Sequence, residues 1–575
     1  MNKAVAAFSA VLVFLLLSLS VQARPKQQTH SFDKLVDEYF DFHFQFHPSD
    51  GTLNGFHQYD HKLEDYSAKA AATEVAGLND FKTRFEKLST LPLTDDSIAD
   101  RELVINSINA RLLELNDIQM WKKNPDMYSS GISNAIFVLM ARNFAPAEER
   151  LSAVIDRERA ASANFAAARE NLKNPPKVYT EVALQQLPGI IGFFQKDVPN
   201  AFSSVTNPKL LAQFKASNDA VIKALTDYQN YLQNDLLPVS NGDFRIGAEN
   251  FRKKLLYEEM VDIPLDKLLE IGYENLHENQ KRFKEVAAQI DPKRDPKDIL
   301  ADLEKDHVAP NQLLQTFRDV LASERDFIVQ KQIITMPSME APKVEETPPF
   351  ERALTTASMD FPGPYETKAP DATFNVTLPD PSWDATKTEE WMEGFNRGVI
   401  ISTSVHEVYP GHYTQYLWLK TAPSKVRKLI NSNSNVEGWA HYTEQMMLDE
   451  GYGNGDLKLR LGQLEDALLR NARFIVGIEM HTGKMTMEQA REFFIKEGQQ
   501  VPPVAEEETK RGTSDPTYLV YTLGKLQIMK LRQDYHAMRG DQYSLHEFHD
   551  TFMKQGAVPL KIIREKMLGN NSPTL

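Results

Sequence analysis

His406-Glu407-Val408-Tyr409-Pro410-Gly411-His412 is the stretch on which the reading of this chain turns. His-Glu-x-x-His on a helix places two imidazoles on one face, four residues apart, with the Glu beside them as a base for metal-activated water. Here the second histidine follows six positions after the first. At about 100° per residue an unbroken helix would turn the two rings apart. The two additional residues are Pro410 and Gly411. Proline removes a donor and clashes with the preceding turn, and glycine tolerates unusual backbone angles. The segment therefore reads as a metal-binding helix with an inserted bulge that returns His412 to the metal side.

An open catalytic site needs a third protein ligand. Asn435-Val-Glu-Gly-Trp-Ala-His-Tyr-Thr-Glu444 supplies Glu437, His441 and Glu444 at i, i+4 and i+7, the polar face of a second helix capped by the Ser/Asn cluster before it. Glu437 is the candidate ligand. His441 could be a fourth ligand, a group that orients a ligand, or a donor to substrate; the last two are favoured because four protein ligands would close the site. A third piece spans Arg511 to Lys525, with Asp515-Pro516 expected to start a helix on which Tyr518, Tyr521 and Lys525 share a face. A phenol there can stabilise an oxyanion, so Tyr521 is the candidate, with Tyr518 and Arg511 as substrate contacts. The competing reading of such an aromatic stripe is core packing.

Outward from these segments the pattern is mostly helical. Pro264 to Leu276, Ala153 to Asn174 and Met487 to Lys496 carry helical periodicity. Ser544-Leu-His-Glu547 fits a capping box, whereas none is assigned at Thr486. The best strand is Ala372 to Leu378; the proline-dense span from Pro337 to Pro349 is expected to hold no regular element. A break at Leu237 to Gly242 divides a helical half, 24–237, from a metal-binding half, 238–575.

Residues 1–23 read as a signal peptide: Lys3, an apolar run from Ala10 to Leu19, then Val21-Gln22-Ala23 before the cleavage site. The alternative is a retained N-terminal anchor. The expectation is a periplasmic or secreted protein with no stable membrane span after cleavage. The chain has no cysteine, which excludes thiolate chemistry and leaves His, Asp and Glu to hold any metal. A formal charge of -15 with no basic stripe makes nucleic acid a poor partner.

Other histidines are decoys. His43 with His47 and His57 with His61 are each four apart, but neither pair has the following Glu. They read as surface or packing residues, and His546-Glu547-Phe548-His549 as part of a helix start.

His-Glu-x-x-Pro-Gly-His followed by Gln415, with Glu437-Gly-Trp-Ala-His-Tyr-x-Glu444 downstream, resembles the bacterial domain-of-unknown-function 885 family. The likeness extends to Pro48 with Gly55, Ile246-Gly-Ala-Glu249 and Tyr521-Thr-Leu-Gly524, and departs from the family pattern at Asp515-Pro516-Thr517-Tyr518. The resemblance implies a mostly α, zincin-like fold similar to thimet oligopeptidase, angiotensin-converting enzyme and the thermophilic carboxypeptidases. It also implies a small β edge near the metal, with Ala372 to Leu378 as the edge strand and Asn375 as a substrate contact. The expected activity is Zn2+-dependent peptide hydrolysis with Glu407 as base. The rivals are a zinc hydrolase acting on a non-peptide amide or ester, and a catalytically silent periplasmic binding protein.

Overall fold

The computed structural model describes residues 31–88, 93–348, 352 and 355–575; the expected signal peptide lies outside them. The chain is mostly helical with one three-stranded sheet. Most buried side chains of the helices before Leu237 fall in two cores, with Leu113, Ile118 and Tyr179 reaching into others. Residues of the first, including Phe40, Phe85 and Ile108, pack in one cluster with Phe374, Val405 and Trp439. A separate cluster gathers Tyr128, Phe165, Tyr228 and neighbouring side chains of 128–236. The break after Leu237 is a short 3-10 turn, Leu237–Val239, followed by coil up to the helix at Gly247–Glu259.

The sheet holds two corrections to the sequence reading. Lys343–Glu346 (β1) forms inside the span that proline density seemed to exclude, because the prolines flank it instead of interrupting its ladder. Ala357–Asp360 (β2) and Thr373–Val376 (β3) complete the sheet in the order β1-β3-β2. β3 is thus the central strand, parallel to β1 and antiparallel to β2, and not an edge. Three consecutive buried residues, Phe374, Asn375 and Val376, are what a strand covered on both faces carries. The edge beside the candidate site is β2.

Seven helices position that site: Leu313–Lys331 (α1), Arg397–Glu407 (α2), His412–Leu419 (α3), Asn433–Asp449 (α4), Leu457–His481 (α5), Pro502–Ser514 (α6) and Val520–Arg539 (α7). Asp515-Pro516 does not start a helix. The chain turns through 515–519 and α7 begins at Val520, so Tyr518 sits before the helix rather than on its face. Thr486 does form a capping box, its hydroxyl accepting from Gln489 N–H while the Gln489 side chain accepts from Thr486 N–H. At Ser544 the hydroxyl caps Glu547 N–H, but the Glu547 carboxylate turns to Arg539 and Tyr535.

Candidate metal centre

The motif is a helix break, not a bulge within one helix. Asn396 caps α2, accepting from Gly398 and Val399 N–H at 3.0 and 3.1 Å. α2 ends at Glu407, the chain passes through Val408 to Pro410, and α3 restarts at His412 with Gly411 as its N-cap. Gly411 lies so close to the end of α2 that an added Cβ would stand 1.8 Å from the His406 carbonyl oxygen. Trp439 of α4, fully buried, donates its indole N–H to the Pro410 carbonyl at 2.8 Å and fixes the connection from the other side. The two imidazole rings finish 4.8 Å apart and nearly perpendicular.

α4 brings the carboxylate. Its N-terminus is held by Glu259, which accepts from Ser434 N–H at 2.9 Å, as favoured at a helix start. Gln415 of α3 donates to Asn435 of α4 at 2.9 Å. Against this frame the Nε2 atoms of His406 and His412 each lie 3.5 Å from Glu437 Oε2. That is long for a hydrogen bond, but two ligands on a tetrahedral ion at about 2.1 Å stand about 3.4 Å apart. Among the described residues, His406, His412 and Glu437 are the one group of three or more such side chains whose donor atoms gather closely enough for a metal ion. Two imidazoles and a carboxylate form a donor set suited to zinc with a position left open. The Glu437 side chain is 24% exposed, so the cluster meets solvent.

Behind it lies a buried carboxylate. Glu444 accepts from His406 Nδ1–H at 2.7 Å and from His441 Nδ1–H at 2.9 Å, and pairs with Arg470 at 3.0 Å. When the ring is neutral, as metal binding requires, the first bond places its proton on Nδ1 and leaves Nε2 as the donor atom facing Glu437. Burial alone would lower the His406 pKa, but Glu437 and Glu444 raise it to about 10, so the pocket favours positive charge. Glu437 is held well below the usual carboxylate range: its burial is outweighed by His406 and His412. His441 is buried and its pKa is lowered to about 3 by burial and by nearby Lys525, so it is neutral. It stands behind Glu444, outside the three-residue cluster. His412 Nδ1 is buried with no partner among the described residues.

Glu407, next to His406 at the end of α2, accepts from Met359 N–H of β2 at 3.3 Å. This contact ties the outer edge of the sheet to the site. α7 crosses α4 at a pair of glycines: a Cβ on Gly438 would meet Gly524 Cα at 2.5 Å, and one on Gly524 would meet the Ser434 carbonyl oxygen at 1.7 Å. The close crossing carries Tyr521 towards Glu437. Burial raises the Tyr521 pKa and the Glu437 charge raises it further, so the phenol keeps its proton. Arg511 of α6 donates to the Tyr521 hydroxyl at 3.2 Å.

Two expected substrate contacts fall elsewhere. Tyr518 is 1% exposed, packed in a core with Val476 and Met480, and its hydroxyl is enclosed without a partner among the described residues. Asn375 is 5% exposed in the central strand, both sides of which are already paired. Glu444 and Arg470 were missed as site residues. Glu444 was legible on the polar face of α4, whereas Arg470 comes from α5 and no local pattern announces it. The histidine decoys have structural partners: His47 pairs with Glu74, His57 with Asp60 and Glu366, and His61 with Asp156. His549 is buried between the Ile333 carbonyl and the Tyr442 hydroxyl.

No curated protein matches the sequence. Among solved structures, a "putative lipoprotein of unknown function" from Shewanella oneidensis is similar at 26% identity and a TM-score of 0.79, over 93% of this chain and 99% of that one. A "putative lipoprotein" from Colwellia psychrerythraea shares the fold at 18% identity and a TM-score of 0.75, over 94% of this chain and 99% of that one. The model of the family described as bacterial protein of unknown function (DUF885) matches residues 48–567, and the chain belongs to that family.

Proposed function

We propose that this protein is a zinc-dependent peptidase of the cell envelope, with a zincin-type site in which His406, His412 and Glu437 hold the metal. One observation carries the reading: two imidazole nitrogens converge at 3.5 Å on one carboxylate oxygen, with Glu407 beside them. A bound zinc ion supplies Lewis-acid activation of water and of the scissile carbonyl. The chain's own groups do the rest. Glu407 accepts a proton from the attacking water and returns it to the departing amine. Tyr521, protonated and within electrostatic reach of Glu437, donates to the oxygen on which negative charge develops. His441, neutral and bonded to Glu444, helps to hold the carboxylate that orients His406.

A peptide substrate is favoured over other amides and esters by β2. This strand pairs only with β3 among the described residues, so its outer edge can accept an extended backbone as a further strand, beside Glu407. An envelope location is supported by the N-terminal segment read as a signal peptide and by the description of the Shewanella oneidensis relative as a putative lipoprotein. No helix among the described residues is long and apolar enough to cross a membrane. The test is a peptide and ester screen on zinc-loaded protein with a chelator control. Chelator-sensitive cleavage of peptides supports the reading; activity on esters or small amides alone replaces it with the broader hydrolase.

A further inference from the structure

The Tyr521 ring is flanked by three guanidinium groups, Arg470 at 5.8 Å, Arg473 at 5.0 Å and Arg511 at 5.8 Å from its centroid. They are not equivalent. Arg473 is committed to Glu508 through two bonds of 2.6 and 2.7 Å. Arg470 is committed to Glu444 at 3.0 Å, with Asp466 at 3.9 Å. Arg511 differs: its side chain is 40% exposed, and its acidic partner Asp515, 42% exposed, is reached only through long contacts of 3.3 and 3.4 Å to one oxygen. An ion pair of that kind is weak and easily exchanged. Nη2 of Arg511 also donates to the Tyr521 hydroxyl, while Nη1 has no hydrogen-bond partner among the described residues.

Arg470, 5.8 Å from the Tyr521 ring, pairs with Glu444, which in turn holds His406, so Tyr521 lies on the side of the metal cluster and Arg511, 40% exposed, stands one hydrogen bond farther out. A charged fork with a free donor stands one hydrogen bond beyond the phenol assigned to the oxyanion. Guanidinium matches carboxylate geometry, and an exposed, loosely paired one can exchange Asp515 for a ligand. We propose that Arg511 binds a carboxylate of the substrate close to the scissile bond, so that the protein prefers peptides carrying a negative charge there. This rests on the peptidase reading above. The carboxylate can be the chain's own C-terminus or an Asp or Glu side chain.

The test uses zinc-loaded full-length protein and one peptide sequence in three forms: free C-terminus, C-terminal amide, and amide with a neighbouring residue replaced by Asp. Wild type should favour one charged form over the neutral amide by roughly 10- to 100-fold in kcat/KM, as expected for a charge-assisted pair. Preference for the free acid identifies an exopeptidase-like subsite, and preference for the Asp form a side-chain subsite. Arg511→Gln should bring the ratio close to one and Arg511→Lys should keep part of it. Calorimetry of the same peptides with metal-free protein should show the same ranking in Kd. If Arg511 only steadies Tyr521, Arg511→Gln will slow all three peptides equally; that result, or a wild type with no charge preference, overturns the proposal while leaving the peptidase reading intact. If wild type cleaves none of the peptides, the peptidase reading fails, and the calorimetric ranking alone decides whether Arg511 binds carboxylate.

Discussion

His406 Nδ1 and Glu444 Oε1 are 2.7 Å apart in the interior, and the other oxygen of that carboxylate is 2.9 Å from His441. One buried group thereby sets the tautomer of a candidate ligand and satisfies a neutral histidine, with Arg470 balancing its charge. Glu444→Gln keeps the shape but weakens this orientation. Zinc affinity should fall about 10- to 100-fold, the usual cost of losing such a partner, with the helical content unchanged. Competition titration with a chromophoric chelator measures it; an unaltered Kd would remove Glu444 from the account.

Gly411→Ala places a methyl group where the His406 carbonyl oxygen already stands, 1.8 Å from the position Cβ would take. Overpacking typically costs about 1–3 kcal/mol, and here the obstacle is backbone, which cannot rotate away. The melting temperature should drop by about 1–3 °C in a chain of this size, and zinc content should fall with it. A variant with wild-type melting and full zinc would show that the α2–α3 break is more pliable than the contact implies.

Glu407→Gln, Glu437→Gln and Tyr521→Phe should give three separate signatures. The first should retain zinc and lose about 10²–10⁴-fold in kcat, the general-base contribution. The second should lose zinc. The third should retain zinc and KM while kcat falls roughly 10²–10³-fold. Paired metal analysis and kinetics read all three; a Glu407→Gln protein without zinc and a Glu437→Gln protein with it would interchange ligand and base.

Stability should decline on the acid side because of two histidines remote from the metal. Burial lowers the pKa of His549 to about 3 and of His481 to about 4, from an unfolded value of 6.5. Both are neutral when folded: His549 Nδ1–H donates to Ile333 O, and its Nε2 accepts from the Tyr442 hydroxyl. Below pH 6.5 the unfolded chain binds protons that the folded chain refuses. The stabilisation present above 6.5 is therefore lost as pH falls towards the folded values, by about 1.4 kcal/mol per pH unit for each group. Denaturant unfolding from pH 7 to 4.5 should show a shallower pH dependence in His549→Gln than in wild type; equal slopes would refute the assignment.

The clustering of His406, His412 and Glu437 was legible because its parts are local: two histidines around Pro410-Gly411, and a helix whose period puts Glu437 and Glu444 on one face. The helical class was legible for the same reason. What failed depends on long-range pairing. Ala372 to Leu378 has the composition of a strand, but its central place follows from Lys343–Glu346, a partner hidden among prolines. Tyr518 lies three residues before Tyr521, yet the turn at 515–519 sends it into the core against Gly477 and Gly512. The close α4–α7 crossing at Gly438 and Gly524 joins residues 86 positions apart in sequence, and no periodicity within either helix reveals it.

The central claim is that His406, His412 and Glu437 bind one zinc ion, and elemental analysis of purified protein beside its Glu437→Gln variant tests it most directly. The account predicts about one zinc per wild-type chain, released by chelator with loss of activity, and far less than one in the variant. Wild-type protein that binds no zinc after loading, or a variant that retains a full equivalent, would contradict it.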